Sequence, residues 1–345
     1  MKFRKLGDSE LQVSEVCLGT MTFGRQNTIE QAHQLLDVAF ERGVNFLDIA
    51  EMYPVPVLEE TQGRSEQYVG EWLAGKPRDR VIVATKISGS GRNFPWIRGG
   101  SQTINRQQVR VAVEDSLRRL KTDYIDLYQI HWPDRYVPSF GGTSYDPEKE
   151  RTSTPIAEQL AALADVIRAG KVRYFGLSNE TAWGITTFNQ LAVHLGLPKP
   201  VSVQNAYSLL NRSFESGPAE ASRRERVPLL PYSPLGFGLL TGKYVDGPPK
   251  NSRLALFEGF GQRYRAPNVD VAVRDYLAVA KQHGVSPVEL ALGFVKSRWF
   301  VGSTIIGATA VTQLEENLKA FDVTLSPEAL ADIDRVQSRY PSPAP

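Results

Sequence analysis

Eight short runs rich in β-branched and aromatic residues, each separated from the next by amphipathic or loop-rich sequence, recur along the 345 residues. The runs are Val16–Leu18, Val44–Ile49, Val81–Thr85, Tyr124–Ile130, Val172–Leu177, Val201–Gln204, Pro228–Tyr232 and Ser303–Ile306. Alternation of strand and helix implies a parallel sheet, because a strand can return parallel to its neighbour only through a crossover. Eight such units over this length predict an α/β fold, a (β/α)8 TIM barrel, as a single domain over residues 1–345. The competing open doubly wound sheet would carry G-x-G-x-x-G after its first strand. Here that strand leads into Gly19-Thr20-Met21-Thr22-Phe23-Gly24, which does not fit.

Helix signals punctuate the runs. Thr28 with Gln31 three residues on has capping-box spacing, and Ala32, Leu35, Leu36 and Ala39 form the apolar face of the helix it opens. Thr154-Pro155 reads as a capping Thr followed by Pro at the first helical position, with Gly170 as the stop. Helical patterns also fall at Ser65–Leu73, Trp183–Leu195, Val271–His283 and Pro287–Arg298, around Val109–Leu120, and after Ser326-Pro327-Glu328. Phe3–Leu6 and Leu11–Ser14, around Gly7-Asp8, form an expected hairpin capping the bottom of the barrel. Long loops at Pro54–Gly63, Ser88–Ser101, Pro133–Ser153 and Phe237–Pro267 are the expected walls of a pocket at the C-terminal face.

Composition removes several function classes. Forty Lys+Arg against 38 Asp+Glu give a net charge of +2 with the signs interleaved, which does not favour nucleic acid. The single cysteine, Cys17, excludes an internal disulfide, and four scattered histidines (His33, His131, His194, His283) argue against a metal site. No apolar run reaches membrane-spanning length, and Met1–Lys5 leads into polar sequence rather than an export signal. The expectation is a cytoplasmic protein acting on a small molecule, monomer or homo-oligomer.

In such a barrel the chemistry sits where strands end. The polar residues at the strand ends include Asp48, Lys86, His131, Ser178, Asn179, Gln204, Tyr232 and Ser233. Each alone has a structural explanation. Asp48, Tyr53, Lys86 and His131 together have a chemical one: a phenol as proton donor, an ammonium to lower its pKa, a carboxylate to hold the ammonium and an imidazole to orient a carbonyl. Carbonyl reduction needs that set plus hydride, which no side chain supplies, so a cofactor is implied.

The chain resembles the aldo-keto reductases along almost its whole length, most closely the Tas-like branch near the potassium-channel beta subunits. The resemblance rests on Leu18-Gly19-Thr20, Asn45-Phe46-Leu47-Asp48-Ile49-Ala50-Glu51-Met52-Tyr53, Gly63-Arg64-Ser65-Glu66, Thr85-Lys86 and Asp123 through Trp132. It continues through Gly170–Asn179, Gln204-Asn205-Ala206-Tyr207, Tyr232-Ser233-Pro234-Leu235-Gly236 and Glu315-Glu316-Asn317. It implies NADPH-dependent reduction of aldehydes or ketones, with Tyr53 as general acid, Lys86 and Asp48 lowering its pKa, and His131 orienting the carbonyl. Tyr53, His131 and Trp132 would touch substrate. For the cofactor it implies Gly19, Thr20, Met21 and Asp48, then Ser178, Asn179 and Gln204 at the carboxamide and Tyr232 against the nicotinamide ring. Ser233, Pro234, Leu235 and Gly236 would follow the pyrophosphate with Lys243 and Arg253; Gly307, Gln313, Glu316 and Asn317 would hold the adenosine end. Gly307 and Gln313 depart from the Lys and Arg that grip the 2′-phosphate in many members, although the channel-beta branch also has Gln and uses NADPH. That branch replaces the catalytic His with Asn, whereas His131 is kept here.

An NADPH-binding redox sensor with poor turnover is the alternative on the same fold. Met52, Tyr53, Trp96, Trp132, Tyr207 and Phe237 are the candidate aromatic or apolar wall of a substrate pocket. Arg92 and Arg135 are loop arginines that read either as anion ligands or as solvated charges.

Overall fold

The computed structural model describes every residue except Asn251, Glu258 and Phe260. An antiparallel hairpin comes first, β1 (Phe3–Lys5) on β2 (Gln12–Ser14). Seven parallel strands follow: β3 (Val16–Gly19), β4 (Phe46–Asp48), β5 (Ile82–Ile87), β6 (Ile125–Ile130), β7 (Val172–Ser178), β8 (Val203–Gln204) and β9 (Thr304–Ile306). They lie side by side in the order β8-β7-β6-β5-β4-β3-β9.

The seventh sequence run, Pro228–Tyr232, closes the ring without forming a regular strand. Leu229 bridges Val203 on one side and Val301 on the other. Val203 donates to Pro228 O at 3.0 Å, Leu230 to Val203 O at 2.8 Å, and Gly302 to Leu229 O at 2.7 Å. Pro228 and Pro231 have no N–H and face opposite neighbours, so the stave lacks one donor on each side and its ladder stays broken. The result is the expected (β/α)8 barrel.

The hairpin plugs the N-terminal end. Leu6, Leu11 and Val13 are buried against Cys17, Phe46, Leu127, Leu230 and Ile305 from the barrel interior. At the turn, Gly7 (φ +54°) sits where a Cβ would lie 2.3 Å from Val201 O, so only glycine lets the plug seat. Helices form the outer layer. The first, Ile29–Glu41, is opened by the Thr28–Gln31 capping box and buries Ala32, Leu35, Leu36 and Ala39, as its 3.6-residue period predicts. Ser326 caps the last, Pro327–Arg339.

Two local readings are corrected. Pro155 is the N-cap of the helix Ile156–Arg168, not its first helical residue, and Thr154 does not cap it. Asp134 Oδ2 takes the Thr154 N–H at 2.8 Å and holds the approach extended. Two short helices without a strong periodic signal, Ser213–Ser216 and Pro218–Glu225, fill the connection between β8 and the closing stave.

Candidate active site

Parallel registration brings the strand ends together. Gly19 pairs with Asp48, Lys86 with Gln129 and Ser178 with Gln204, so one polar ring tops the barrel. Above it opens a cavity of about 670 Å3 whose floor includes Asp48, Tyr53, His131, Ser178, Asn179, Gln204 and Tyr232. Each of the four long loops contributes to the walls: Val55, Arg92, Phe140 and, from the fourth, Phe237, Arg263 and Tyr264. Asn251, Glu258 and Phe260 of that fourth loop lie outside the described residues.

Lys86 is fully buried beneath the floor. Its ammonium donates to Asp48 Oδ2 at 2.7 Å, to Ile49 O at 2.6 Å and, more weakly, to the Tyr53 hydroxyl at 3.4 Å. Asp48 Oδ1 accepts from Gln204 Nε2 at 2.7 Å and Gln129 Nε2 at 3.2 Å, and Gln204 also reaches Gln129 Oε1 at 3.1 Å. The buried pair is therefore surrounded by amide donors, as a desolvated carboxylate requires.

The pKa of Tyr53 corrects the expectation. Burial raises it well above the phenol value of 10, and the Asp48 charge and Tyr232 raise it further. Lys86 spends its charge on the nearer Asp48, so the pair presents little net field to the phenol and desolvation wins. The hydroxyl stays protonated. Burial is also the main cause that drives His131 well below the ordinary 6.5, with the Lys86 and Arg92 charges adding to it. Its imidazole is neutral, its ring meets that of Tyr53 edge to face at 5.7 Å, and Nδ1 is buried without a partner among the described residues.

The next side chains around the ring engage one another. Ser178 Oγ donates to Gln204 O at 2.8 Å, Asn179 Nδ2 to His131 O at 2.8 Å, and the Tyr232 hydroxyl to Asn179 Oδ1 at 2.7 Å. Asn179 and Ser233 hold positive φ (+52° and +55°), and Asn179 is held there by its hydrogen bonds to His131 O and Tyr232.

Most sequence-predicted positions line the cavity: Gly19, Met21, Ser233, Pro234, Leu235, Lys243, Arg253, Gly307, Gln313, Glu316 and Asn317 join the floor residues. Thr20 and Gly236 do not line it. The Thr20 hydroxyl is turned to Asp48 O (3.0 Å) and Ser65 Oγ (2.7 Å), and Gly236 is buried under Leu210 and Tyr264. Among the expected aromatics, Met52, Trp132 and Phe237 reach the cavity, while Trp96 packs behind Met52 and Trp132. Tyr207 belongs to the core: its ring stacks on Phe294 and meets Phe300 edge-on at 5.3 Å. Gln129 was not anticipated, although a polar residue two positions before His131 in the apolar run Ile125–Ile130 faces the same side of the strand. Gln26, Arg263 and Tyr264 carried no comparable signal.

The far half of the cavity suits an extended polyanion. Lys243 and Arg253 line it, and neither pairs with a carboxylate among the described residues. Burial lowers the Lys243 pKa, and the neighbouring Arg253 charge lowers it further, so the two cations stand close enough to repel each other. A Cβ on Gly238 would lie 2.9 Å from the Lys243 Nζ, so glycine leaves that ammonium its place. Gln313 Oε1 accepts from Thr309 N at 3.0 Å, and Asn317 Nδ2 donates to Gly307 O at 3.3 Å, which fixes both side chains at the cavity wall. These donors fit a dinucleotide diphosphate with polar groups at either end.

Comparison with known proteins agrees with this geometry. Residues 15–338 match the aldo/keto reductase family. Over 347 residues and the full length of both chains, the protein is 47% identical to Protein tas of Escherichia coli (strain K12). It is 33% identical to a probable voltage-gated potassium channel subunit beta of Oryza sativa subsp. japonica, over 99% of this chain and 98% of the relative. Norsolorinic acid reductase B of Dothistroma septosporum is 30% identical, covering 99% of this chain and 82% of its own length. No helix among the described residues is long and apolar enough to cross a membrane. The chain belongs to the aldo/keto reductase family, and is an NAD(P)H-dependent oxidoreductase acting on small carbonyl compounds.

Proposed function

We propose that this barrel, using the chain throughout, reduces aldehydes and ketones to alcohols with NADPH and that Tyr53 donates the proton. The observation that carries the reading is the Tyr53 hydroxyl. It is buried and protonated, it opens on the cavity, and it lies 3.4 Å from an ammonium already held by Asp48. Lys243, Arg253, Gln313, Glu316 and Asn317 are the residues that would hold the cofactor, with Ser178, Gln204 and Tyr232 at its reactive end. When bound, the nicotinamide supplies hydride to the carbonyl carbon.

The remaining work belongs to side chains. As negative charge develops on the carbonyl oxygen, Tyr53 Oη releases its proton to it. The phenolate left behind is stabilised by Lys86, whose position Asp48, Gln129 and Gln204 fix in advance. Neutral His131 offers a ring N–H to the same oxygen and sets its direction without introducing a competing charge. Trp132 bounds the substrate side. NADPH is preferred to NADH on the channel-beta precedent for Gln at position 313, since no lysine or arginine stands at 307 or 313.

Fluorescence titration with both nucleotides, followed by absorbance decay with a panel of carbonyl compounds, tests the reading. NADPH binding with steady oxidation is the expected result, and Tyr53→Phe should cut kcat by roughly 10²–10⁴-fold while leaving nucleotide affinity within about twofold. A Tyr53→Phe protein with normal kcat refutes the mechanism; binding without turnover on any carbonyl points to a sensor instead.

A further inference from the structure

Arg92 and Arg135 are both loop arginines, yet their surroundings differ. Arg135 is spoken for: its guanidinium forks onto Glu180 at 2.5 and 3.0 Å and reaches Thr181 Oγ1 at 3.2 Å. Arg92 has no carboxylate and no hydrogen-bond acceptor for its guanidinium among the described residues, although it lines the same cavity as Tyr53 and His131. Instead, Arg92 Cζ sits 4.9 Å from the centre of the Trp132 ring and 4.4 Å from that of Phe140. Rings at that range hold a cation by its faces and leave the five edge N–H groups unused.

The loop that carries it is pinned from several directions. Trp132 Nε1 donates to Ser90 O at 2.9 Å, Arg151 Nη2 to the same oxygen at 3.2 Å, and Gln102 Nε2 to Phe94 O at 2.9 Å. Ser90 is also bonded to Asp134 through its hydroxyl and its N–H. Gly91 (φ +89°) turns the chain where a Cβ would lie within 2.7 Å of the Arg151 guanidinium. A cation is therefore presented to the reactive end of the cavity on a braced loop, and Asp48, the acidic residue of that floor, is already paired with Lys86.

We propose that Arg92 is a substrate-binding residue that takes the carboxylate of an anionic aldehyde or ketone. The proposal rests on the reductase reading of the same site. A single planar guanidinium with free edge donors matches a carboxylate bidentately, whereas a phosphate dianion would call for further cations or backbone N–H groups beside it. Met52, Val55, Trp132 and Phe140 supply the apolar wall for the body of the substrate, so a flat or aromatic oxo-acid suits the site.

The test compares kcat/KM for 3- and 4-carboxybenzaldehyde with that for their methyl esters, in the wild type, Arg92→Met and Arg92→Lys, with folding checked by melting temperature. Wild type is expected to favour the acids. The acid-to-ester ratio should fall about 10- to 100-fold in Arg92→Met, the value of charge-assisted hydrogen bonds to a carboxylate, and less in Arg92→Lys. The loss should appear in KM rather than kcat. A ratio that stays within about twofold in both variants overturns the proposal. If no aldehyde is reduced, isophthalate and terephthalate are titrated into the protein with NADP+. Binding to wild type but not to Arg92→Met keeps the carboxylate site while the reductase reading fails; no binding to wild type overturns both.

Discussion

Replacing Lys86 with Met removes the centre of the buried network. The side chain is similar in length, so the change is chiefly electrostatic. Asp48 loses a donor at 2.7 Å and keeps two amides, Gln204 at 2.7 Å and Gln129 at 3.2 Å. Breaking a buried ion pair costs about 3–5 kcal/mol, and the surviving donors place this case near the lower end, about 3 kcal/mol. At roughly 2–4 °C per kcal/mol for chains of about 150–250 residues, and less for a longer one, the melting temperature should fall by several degrees and by no more than about 6–12 °C, and reductase turnover should fall at least as far as in Tyr53→Phe. Adding Asp48→Asn removes the uncompensated charge while leaving an oxygen for both glutamines, so the double variant should regain about half of the lost stability and none of the activity. Thermal melts of the wild type, the single variant and the double variant decide the matter. A Lys86→Met protein that melts within a degree of wild type, or a double variant no more stable than the single one, would refute the account of a desolvated, mutually dependent pair.

Two further outcomes follow from the geometry. Because burial holds His131 neutral, kcat/KM should show no acidic limb centred near the ordinary 6.5, and stability should fall as pH drops through that value, since only the unfolded chain then takes the proton; a limb near 6.5 that disappears in His131→Asn contradicts this. Arg253→Leu leaves Lys243 as the remaining cation of that pair, so NADPH affinity should weaken about 10- to 100-fold by fluorescence quenching, and an unchanged Kd removes Arg253 from the cofactor site.

Much of the architecture is legible in local patterns. The capping box at Thr28, the apolar face of Ile29–Glu41 and the hairpin around Gly7 each reflect contacts within a few residues. The strand-end rule brings out Asp48, Lys86 and His131 because a parallel barrel forces every polar strand terminus to one face. Harder cases involve competition between distant partners. Tyr207 looks like a wall residue by its position after Gln204, but the core formed by Phe294 and Phe300 claims it. Pro228–Tyr232 has strand-like side chains, yet two missing N–H groups leave it as isolated bridges.

Periodicity, turn chemistry and the order of polar strand ends thus determine the barrel, its plug and the side chains that gather at its mouth, since all of these depend on local backbone preference and a single topological rule. Tertiary structure alone decides how charge is shared there. Burial raises the Tyr53 phenol and keeps it protonated, and Lys86, at 2.7 Å from Asp48 against 3.4 Å from Tyr53, does not offset that. Arg135 finds Glu180, 45 residues away, while Arg92 meets only ring faces. Electrostatic pairing depends on distances between residues remote in the chain and on the water excluded around them, and neither is written in any local stretch of sequence.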